Sequence, residues 1–221
     1  CWGHSDYVGL GSQICNLHPS NCTSSFGNLL APLLPVTFPT GSPAVTVHAS
    51  HAYPTRACAV LEDGSANCWG DNDYGVFGNG YLSQDSYTPE AVLMPAGPGN
   101  VTSMVLARMS TCALTDPGEV YCWGYNQNGR LGDGTTCPGG DFTNNCNGNN
   151  VKPLPYDPVI VPNGTSVISI FTSDYNDEEY CSLLDNGRVY CWGSYYSRDD
   201  GIGQYFTLDG LFVKAGNRDW D

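Results

Sequence analysis

The 221-residue sequence has few basic residues and no long apolar segment. Eight Lys and Arg stand against 22 Asp and Glu, which gives a formal net charge of −14. Phosphate binding needs clustered Lys and Arg, so this balance argues against a nucleic-acid partner and disfavours anionic membrane surfaces. The sequence also lacks a run of about 18 apolar residues, so we predict no direct insertion into a membrane.

Catalytic and metal-binding signatures are also scarce. The sequence has no Gly-x-Ser-x-Gly element, no phosphate-cradling loop and no two CxxC units that could bind zinc. The four histidines are His4, His18, His48 and His51, and none lies beside a recognisable nucleophile motif. On a strand, His48 and His51 would lie on opposite faces. We therefore predict no catalytic residue, no metal site and no cofactor, and expect that the protein is not an enzyme.

Acidic residues raise calcium binding as an alternative in two stretches. Asp71 and Asp73 lie two positions apart before a glycine. The second stretch contains Asp174, Asp177, Glu178 and Glu179. Calcium takes about six to eight oxygen ligands, and neither stretch supplies a full loop of them. We interpret both as solvated acidic loops.

The sequence is, by contrast, rich in turn-forming residues and cysteine. It contains 27 Gly, 15 Pro, 14 Tyr and 11 Cys, and long helical patterns are missing. This profile is typical of an all-β protein with short strands and many turns. Its main feature is a repeated phrase that runs from Cys58 to Gly70, from Cys112 to Gly124 and from Cys181 to Gly193, with a bare Cys-Trp-Gly at Cys1.

Each complete copy predicts a β-hairpin closed by a disulfide. Alternating apolar residues lead into and out of a three-residue turn that ends in glycine, which suits the left-handed position of such a turn. The turns are Glu62-Asp63-Gly64, Asp116-Pro117-Gly118 and Asp185-Asn186-Gly187. Counting outward from each turn, Cys58 faces Cys68, Cys112 faces Cys122 and Cys181 faces Cys191. Each disulfide would stabilise its hairpin by about 2 to 3 kcal/mol on the chain-entropy model.

The remaining cysteines support an oxidising compartment. Two insertions are each closed by a pair, Cys15 with Cys22 and Cys137 with Cys146. Regularly paired cysteines indicate an extracellular protein, either secreted or at the cell surface. Cys1 is the odd one, and its partner by the repeat would lie ten positions upstream. We therefore expect the chain to be an internal piece of a longer polypeptide.

Three sequons agree with secretion and predict N-linked glycans. They begin at Asn21, Asn100 and Asn163. The last two each follow a Pro-rich loop and precede the strand that enters the next repeat, so we predict that they occupy equivalent positions in surface loops.

The tryptophans and the other aromatic residues lead to different predictions. A Trp follows the second cysteine of each copy, and this repetition indicates packing between repeats. An irregular region near the end of the sequence has no such pattern, and its aromatic residues could form a partner-binding or sugar-binding surface. Those residues are Tyr195, Tyr196, Tyr205 and Phe206.

The period of the repeat predicts a β-propeller, because each unit holds about four strands. Within one propeller segment, residues 1–221, we assign a partial blade with an insertion to residues 1–44. A blade follows at 45–100, a blade with an insertion at 101–166, and a blade with an irregular tail at 167–221.

One family shares this arrangement. Cys-Ala-Leu-x-x-x-Gly-x-Val-Tyr-Cys-Trp-Gly-x-Asn-x-x-Gly-x-Leu-Gly-x-Gly, read from residues 112–134, resembles the regulator-of-chromosome-condensation repeat in its cysteine-paired extracellular form. The resemblance implies a ring of about seven four-stranded blades, of which this chain supplies about three and a half. The fourth unit departs from the pattern at residues 194–203, where its exit is two residues longer.

The family includes nucleotide exchange factors, inhibitors and extracellular modules, so the resemblance does not decide function. We predict a non-enzymatic structural or interaction module of a large secreted glycoprotein, in a cell-surface, matrix or filament assembly. Its partners would be other protein chains or copies of itself. The alternative is a secreted binding module, either a lectin or an enzyme inhibitor. A secreted hydrolase would need a cleft with paired carboxylates or a metal, and nucleotide exchange does not fit the oxidising compartment.

Overall fold

The computed structural model describes residues 35–50, 55–97, 99–126, 129–135, 137, 146, 150–172 and 178–194. Outside these ranges it gives only the backbone of five short strands. The strands are β1 Gly3–His4, β2 Cys22–Thr23, β3 Asn28–Leu29, β4 Ala44–Ala49, β5 Arg56–Leu61, β6 Ala66–Gly70, β7 Ser86–Ala91, β8 Val101–Leu106, β9 Ser110–Thr115, β10 Val120–Tyr125, β11 Val151–Lys152, β12 Val167–Thr172, β13 Glu178–Leu184, β14 Val189–Ser194, β15 Gln204–Phe206 and β16 Phe212–Lys214.

Three antiparallel sheets follow one another along the chain. Sheet I has the order β4-β5-β6-β7, sheet II contains β8 to β11 in chain order, and sheet III has the order β12-β13-β14. Two smaller sheets have the orders β1-β3-β2 and β15-β16. The helical content of the described residues is a 3-10 turn, Asp73–Gly75. In that same part of the chain, no helix has the length and hydrophobicity needed to span a bilayer.

The first strands of the three sheets share an irregularity. β4, β8 and β12 each have a β-bulge one residue after the start, and β8 contacts both β4 and β12. The sheets therefore stand side by side with their first strands adjacent, which is the arrangement of propeller blades.

The hairpin turns have the predicted geometry. In sheet I the N–H of Leu61 donates to the Ser65 carbonyl at 2.9 Å, and the N–H of Gly64 donates to the Leu61 carbonyl at 3.0 Å. Gly64 has φ +78°, in the left-handed region that favours glycine. The turns of sheets II and III repeat both bonds, at Gly118 and Gly187.

The cysteines of each hairpin lie directly opposite each other and form disulfides. Opposed residues in such a pair have Cα atoms about 4.5 Å apart where no backbone bonds join them, which is close enough for an S–S bond. The disulfides are Cys58–Cys68, Cys112–Cys122 and Cys181–Cys191, and Cys137–Cys146 forms a fourth. The predicted pair of Cys15 and Cys22 lies outside the residues whose side chains are described.

Two apolar cores lie between the sheets. The core between sheets I and II contains Cys58 and Cys68 of sheet I together with Trp123 of sheet II. The core between sheets II and III repeats this arrangement with Cys112, Cys122 and Trp192. Each of these two hairpin disulfides is therefore buried against the face of the next sheet that carries its tryptophan, and Trp123 and Trp192 pack between repeats as predicted.

The glycine-rich loops of sheets I and II complete these contacts. Trp123 Nε1 donates to the carbonyl of Val76, which lies in the loop after β6, at 2.9 Å. A Cβ added to Gly78 would lie 2.8 Å from the same indole, and one added to Gly132 would lie 2.6 Å from Trp192. These glycines permit a backbone approach that a side chain would block.

Candidate functional site

The hairpin turns of the three sheets carry acidic residues. Glu62 and Asp63 lie in the turn of sheet I, Asp116 in that of sheet II and Asp185 in that of sheet III, and all are exposed. The connector from one sheet to the next passes this end. The N–H of Val101, which begins β8, donates to the carbonyl of Gly64, and the N–H of Val167, which begins β12, donates to the carbonyl of Gly118. This end of the sheets is called the turn end below.

A groove of about 410 Å³ opens at the turn end of sheet II. One wall is the β9–β10 turn, and the other is the connector from Pro158 to Ser166. The side chains used below are Pro117, Glu119, Pro158, Ile160, Val161 and Pro162. Glu119 is the charged residue of the lining, and Ile160 is 44% exposed. The groove thus combines an apolar wall with one carboxylate.

Glu119 precedes β10 directly and is oriented by a tyrosine of that strand. Tyr121 donates from its hydroxyl to Glu119 Oε2 at 2.9 Å. Burial raises the pKa of Tyr121 most, and the hydrogen bond and charge of Glu119, with a smaller effect from Asp157, bring it to about 12. The hydroxyl therefore remains a donor at neutral pH. It bonds to Oε2 of Glu119, and Oε1 takes no part in this hydrogen bond.

The acidic stretch at the opposite end has structural roles. The backbone N–H and the hydroxyl of Thr55 donate to Asp71 Oδ2 at 2.9 and 3.0 Å. Burial raises the pKa of Asp71, and the charges of Asp85 and Asp73 add to this effect, while the Thr55 bonds oppose it. Asp85 accepts from the N–H of Asn72 at 2.8 Å. Among the described residues, no group of three or more His, Cys, Asp or Glu is placed to bind a metal.

An aromatic contact joins sheets I and II at this opposite end. The rings of Tyr74 and Tyr125 lie 5.4 Å apart, and the guanidinium of Arg130 lies 4.7 Å from the centre of the Tyr125 ring. Tyr74 has φ +64°, which is strained for a bulky residue, and it packs partly buried against the core between the sheets. The contact holds the two sheets together.

Two predicted glycan acceptors fall among the described residues. Asn100 and Asn163 are both exposed, and Asn163 lies in a turn where the Thr165 N–H donates to the Pro162 carbonyl at 3.2 Å. The predicted acceptor Asn21 lies outside the described residues. Glycan attachment at all three positions stays a prediction.

The predicted equivalence of Asn100 and Asn163 is wrong. The N–H of Val101 donates to the turn glycine of sheet I, and that of Val167 donates to the turn glycine of sheet II. Counting back one residue, the counterpart of Asn100 is Ser166, whereas Asn163 lies three positions earlier. The connectors after sheets I and II differ in length, which the sequence spacing alone did not reveal.

The remaining candidates are only partly described. His48 Nε2 and Thr46 Oγ1 lie 3.1 Å apart on β4, and burial lowers the pKa of His48. The other histidines and the predicted aromatic surface of Tyr195, Tyr196, Tyr205 and Phe206 lie outside the residues with described side chains, as do Asp174, Asp177 and Glu178.

A buried arginine, which the sequence patterns did not indicate, joins sheets I and II. Arg56 is 1% exposed, and its Nη2 donates to the carbonyls of Ala107 and Ser110 at 2.6 Å each. Ser110 is the counterpart of Arg56 in sheet II, two residues before the first hairpin cysteine, and its hydroxyl lies 2.6 Å from that of Tyr180 in sheet III. Arg56 and Ser110 occupy the same position relative to their hairpin cysteines, and this shared spacing is the sequence feature that could have indicated a common role.

A buried ion pair was also missed. Lys152 Nζ lies 2.5 Å from Asp133 Oδ2, and both side chains are almost fully buried. Asp133 also accepts from the N–H and hydroxyl of Thr135 at 3.0 and 2.7 Å. These contacts fix the glycine-rich loop of sheet II to its outer strand.

Comparisons with known proteins agree with this geometry. A family model for the regulator of chromosome condensation (RCC1) repeat matches residues 52–76 and 110–130, which include the hairpin cysteines of sheets I and II. The chain carries RCC1 repeats. The solved structure of yeast RCC1 (Prp20) bound to Kap60 matches with a TM-score of 0.57 at 16% identity, over 89% of this chain and 42% of that one. This likeness establishes the β-propeller fold.

The curated relatives that the chain matches are much longer than this chain. The human E3 ubiquitin-protein ligase HERC2 is 31% identical over 145 residues, which cover 66% of this chain and 3% of that protein. The guanine nucleotide exchange factor SRM1 of Saccharomyces cerevisiae is 25% identical over 156 residues, which cover 62% of this chain and 32% of that protein. The chain therefore spans about a third or less of these relatives.

Proposed function

We propose that this RCC1-repeat chain is a non-enzymatic interaction module of a secreted glycoprotein. The observation that carries the proposal is the position of the hairpin disulfides. Cys58–Cys68 and Cys112–Cys122 are buried between sheets, where each contributes to the core that holds neighbouring blades together. Disulfides persist in oxidising compartments, so a fold built on them suits the secretory pathway.

Protein binding is supported by the fold and by the surface. The yeast RCC1 structure contains a bound protein, Kap60. In this chain, buried cations leave the described surface strongly acidic, which favours association with partners of opposite charge. We propose that the partners are other protein chains in an extracellular assembly, with N-linked glycans on the exposed sequons.

A non-enzymatic role is supported by the carboxylates that the structure describes. Asp71 is held by Thr55, Asp133 by Lys152, and Glu119 by a single bond from Tyr121. Each of these three carboxylates belongs to a separate set of contacts, which does not match an acid and a base around one substrate site. The names of the relatives refer to ubiquitin ligation and nucleotide exchange. We do not assign either activity to this chain, because a shared fold alone does not imply a shared activity.

A soluble binding module, either a lectin or an enzyme inhibitor, is the second candidate. The groove at the turn end favours it, because ligand sites are concave and mix apolar walls with a few polar groups. The two candidates differ in mass, since an assembly subunit forms large particles and a soluble binder remains small.

The test is expression behind a signal peptide in cultured eukaryotic cells. We expect secretion, a mobility shift on removal of N-glycans, and disulfide-linked peptides containing the hairpin cysteines in a digest of the secreted protein. Light scattering then separates the two candidates by mass. Free thiols at these cysteines in correctly folded protein, or turnover of a substrate, would contradict the proposal.

A further inference from the structure

We propose that the groove at the turn end of sheet II binds an extended peptide segment in which a basic side chain lies between apolar ones. This rests on the proposed protein-binding function and names its site and the chemistry of its partner. The groove volume of about 410 Å³ lies within the range of about 300 to 1,000 Å³ that is usual for ligand sites, and it suits a few side chains rather than a domain.

The part of the groove wall around Ile160 lacks free hydrogen-bond donors. Pro117, Pro158 and Pro162 have no N–H group. The N–H groups of Val159 and Ile160 are used within the fold, by the carbonyls of Val120 and Gly132 at 2.7 and 2.9 Å. A ligand that brings donors suits this part of the wall, and arginine and lysine side chains are donor-only groups.

Glu119 supplies a charge that matches such a donor. It lies in the position directly after the turn glycine, where sheet I has Ser65 and sheet III has Arg188. A carboxylate at this position is therefore specific to the sheet that forms the groove. The bond from Tyr121 fixes the Glu119 side chain before a ligand arrives, which lowers the entropy lost on binding.

The apolar part of the site comes from the connector. Ile160 is exposed, and Val161 packs partly buried against the core below it. Ile160 has a counterpart in sheet I, because the N–H of Leu93 bonds to Gly78 as the N–H of Ile160 bonds to Gly132. Leu93 is 54% exposed and does not line the groove, so it provides a matched control.

Charge complementarity selects the partner. Of the five cationic side chains that the structure describes, Arg56, Arg130 and Lys152 are buried, which leaves only Arg108 and Arg188 exposed. With a net charge of −14, a second copy of this chain would be repelled from an acidic groove. A different chain with a basic, apolar segment fits better, and its binding should weaken with salt.

The test uses the secreted, disulfide-bonded chain and a random heptapeptide library displayed on phage. Selected peptides are synthesised with a fluorescent label, and their affinities are measured by polarisation at low and high salt. We expect a consensus with Arg or Lys beside apolar residues. Glu119→Gln keeps an acceptor for Tyr121 and should weaken binding about tenfold or more, since about 1.4 kcal/mol is a factor of ten and hydrogen bonds to charged groups contribute at least that much. Ile160→Ser should weaken it by a similar factor.

Two control variants separate the groove from the rest of the surface. Glu62→Gln removes the same charge from the turn of sheet I, and Leu93→Ser makes the matched change outside the groove, so both should bind like the wild-type protein. A consensus without a basic residue, or equal binding by wild-type protein and Glu119→Gln, would overturn the proposal. So would a dimer that dissociates on Glu119→Gln, because the occupant would then be a second copy.

Failure of this proposal is distinguishable from failure of the proposed function. The chain could be secreted, disulfide-bonded and glycosylated, and yet select peptides whose affinity is unchanged by Glu119→Gln and Ile160→Ser. In that case the proposed function stands, and the peptides bind at another site. A chain that is not secreted or has free hairpin thiols loses the function whatever its peptides show.

Discussion

The indole Nε1 of Trp123 donates a hydrogen bond to the carbonyl of Val76 at 2.9 Å, and this bond joins two neighbouring blades. The same carbonyl accepts from the hydroxyl of Thr111 at 2.9 Å. Two donors of sheet II therefore meet one acceptor in the glycine-rich loop of sheet I. The loop is held at a distance that leaves no room for a side chain at Gly78.

Gly78→Ala should destabilise the fold strongly. The new Cβ would lie 2.8 Å from the Trp123 ring, and φ is +74°. We expect a loss of about 2 to 4 kcal/mol in the free energy of unfolding, from left-handed strain together with overpacking. Gly41→Ala is the control, because Gly41 has φ +73° and open space around it, and it should lose only about 1 kcal/mol. Denaturant titration measures both, and equal losses would contradict this explanation.

Arg56→Met should destabilise the joint between sheets I and II. Methionine keeps part of the apolar stem but leaves the carbonyls of Ala107 and Ser110 without their donor. We expect a loss of about 2 to 4 kcal/mol, because buried acceptors are left unsatisfied. Arg188→Met, at an exposed position, should change stability by less than about 0.5 kcal/mol. A small effect at Arg56 would show that solvent or neighbouring groups replace its bonds.

Asp71→Asn should become relatively more stabilising as the pH rises. Burial raises the folded pKa of Asp71, so its contribution is complete below the unfolded pKa and is lost as the pH rises through the folded pKa. Asparagine keeps an acceptor for Thr55 and does not ionise. The difference in unfolding free energy between variant and wild type, measured from about pH 3 to pH 7, should therefore shift in favour of the variant.

Asp63→Asn is the control of opposite sign. The hydrogen bonds from the Ser65 hydroxyl and N–H lower the pKa of Asp63, so its ionised form contributes stability above the unfolded pKa. The free energy of unfolding of the variant should therefore fall relative to that of the wild-type protein as the pH rises over the same range. Parallel curves for both variants would show that the pH dependence arises elsewhere.

The hairpin disulfides should differ in their reactivity toward reductant. Cys58–Cys68 and Cys112–Cys122 are buried between sheets, whereas Cys181 and Cys191 are only partly buried. Thiol exchange requires access to a sulfur atom, so Cys181–Cys191 should be reduced first under native conditions. Alkylation followed by mass spectrometry measures the order. In concentrated guanidinium chloride the three should react at similar rates, and a difference that persists there would point to another cause.

Local features of this fold were predictable. The turn glycines, the opposed cysteines and the buried tryptophans all follow from residues within one hairpin. Chain connectivity fixes those distances, so a count along the sequence is enough to assign Cys112 to Cys122.

Contacts between sheets were not predictable in the same way. The equivalence of Asn100 and Asn163 failed because the connector lengths differ between blades. Arg56 was overlooked because its acceptors, Ala107 and Ser110, belong to the next sheet. The distances between such groups depend on the loops that join the sheets.

The sequence by itself determined the hairpins, their disulfides and the propeller class, since a repeated pattern of apolar residues, turns and cysteines is a local property. Only the tertiary structure decided that Glu119 and Ile160 share one groove and that the Cys58–Cys68 and Cys112–Cys122 disulfides share a core with the tryptophan of the next blade. The physical reason is that packing across blades depends on the register and twist of whole sheets, which no short stretch of sequence encodes.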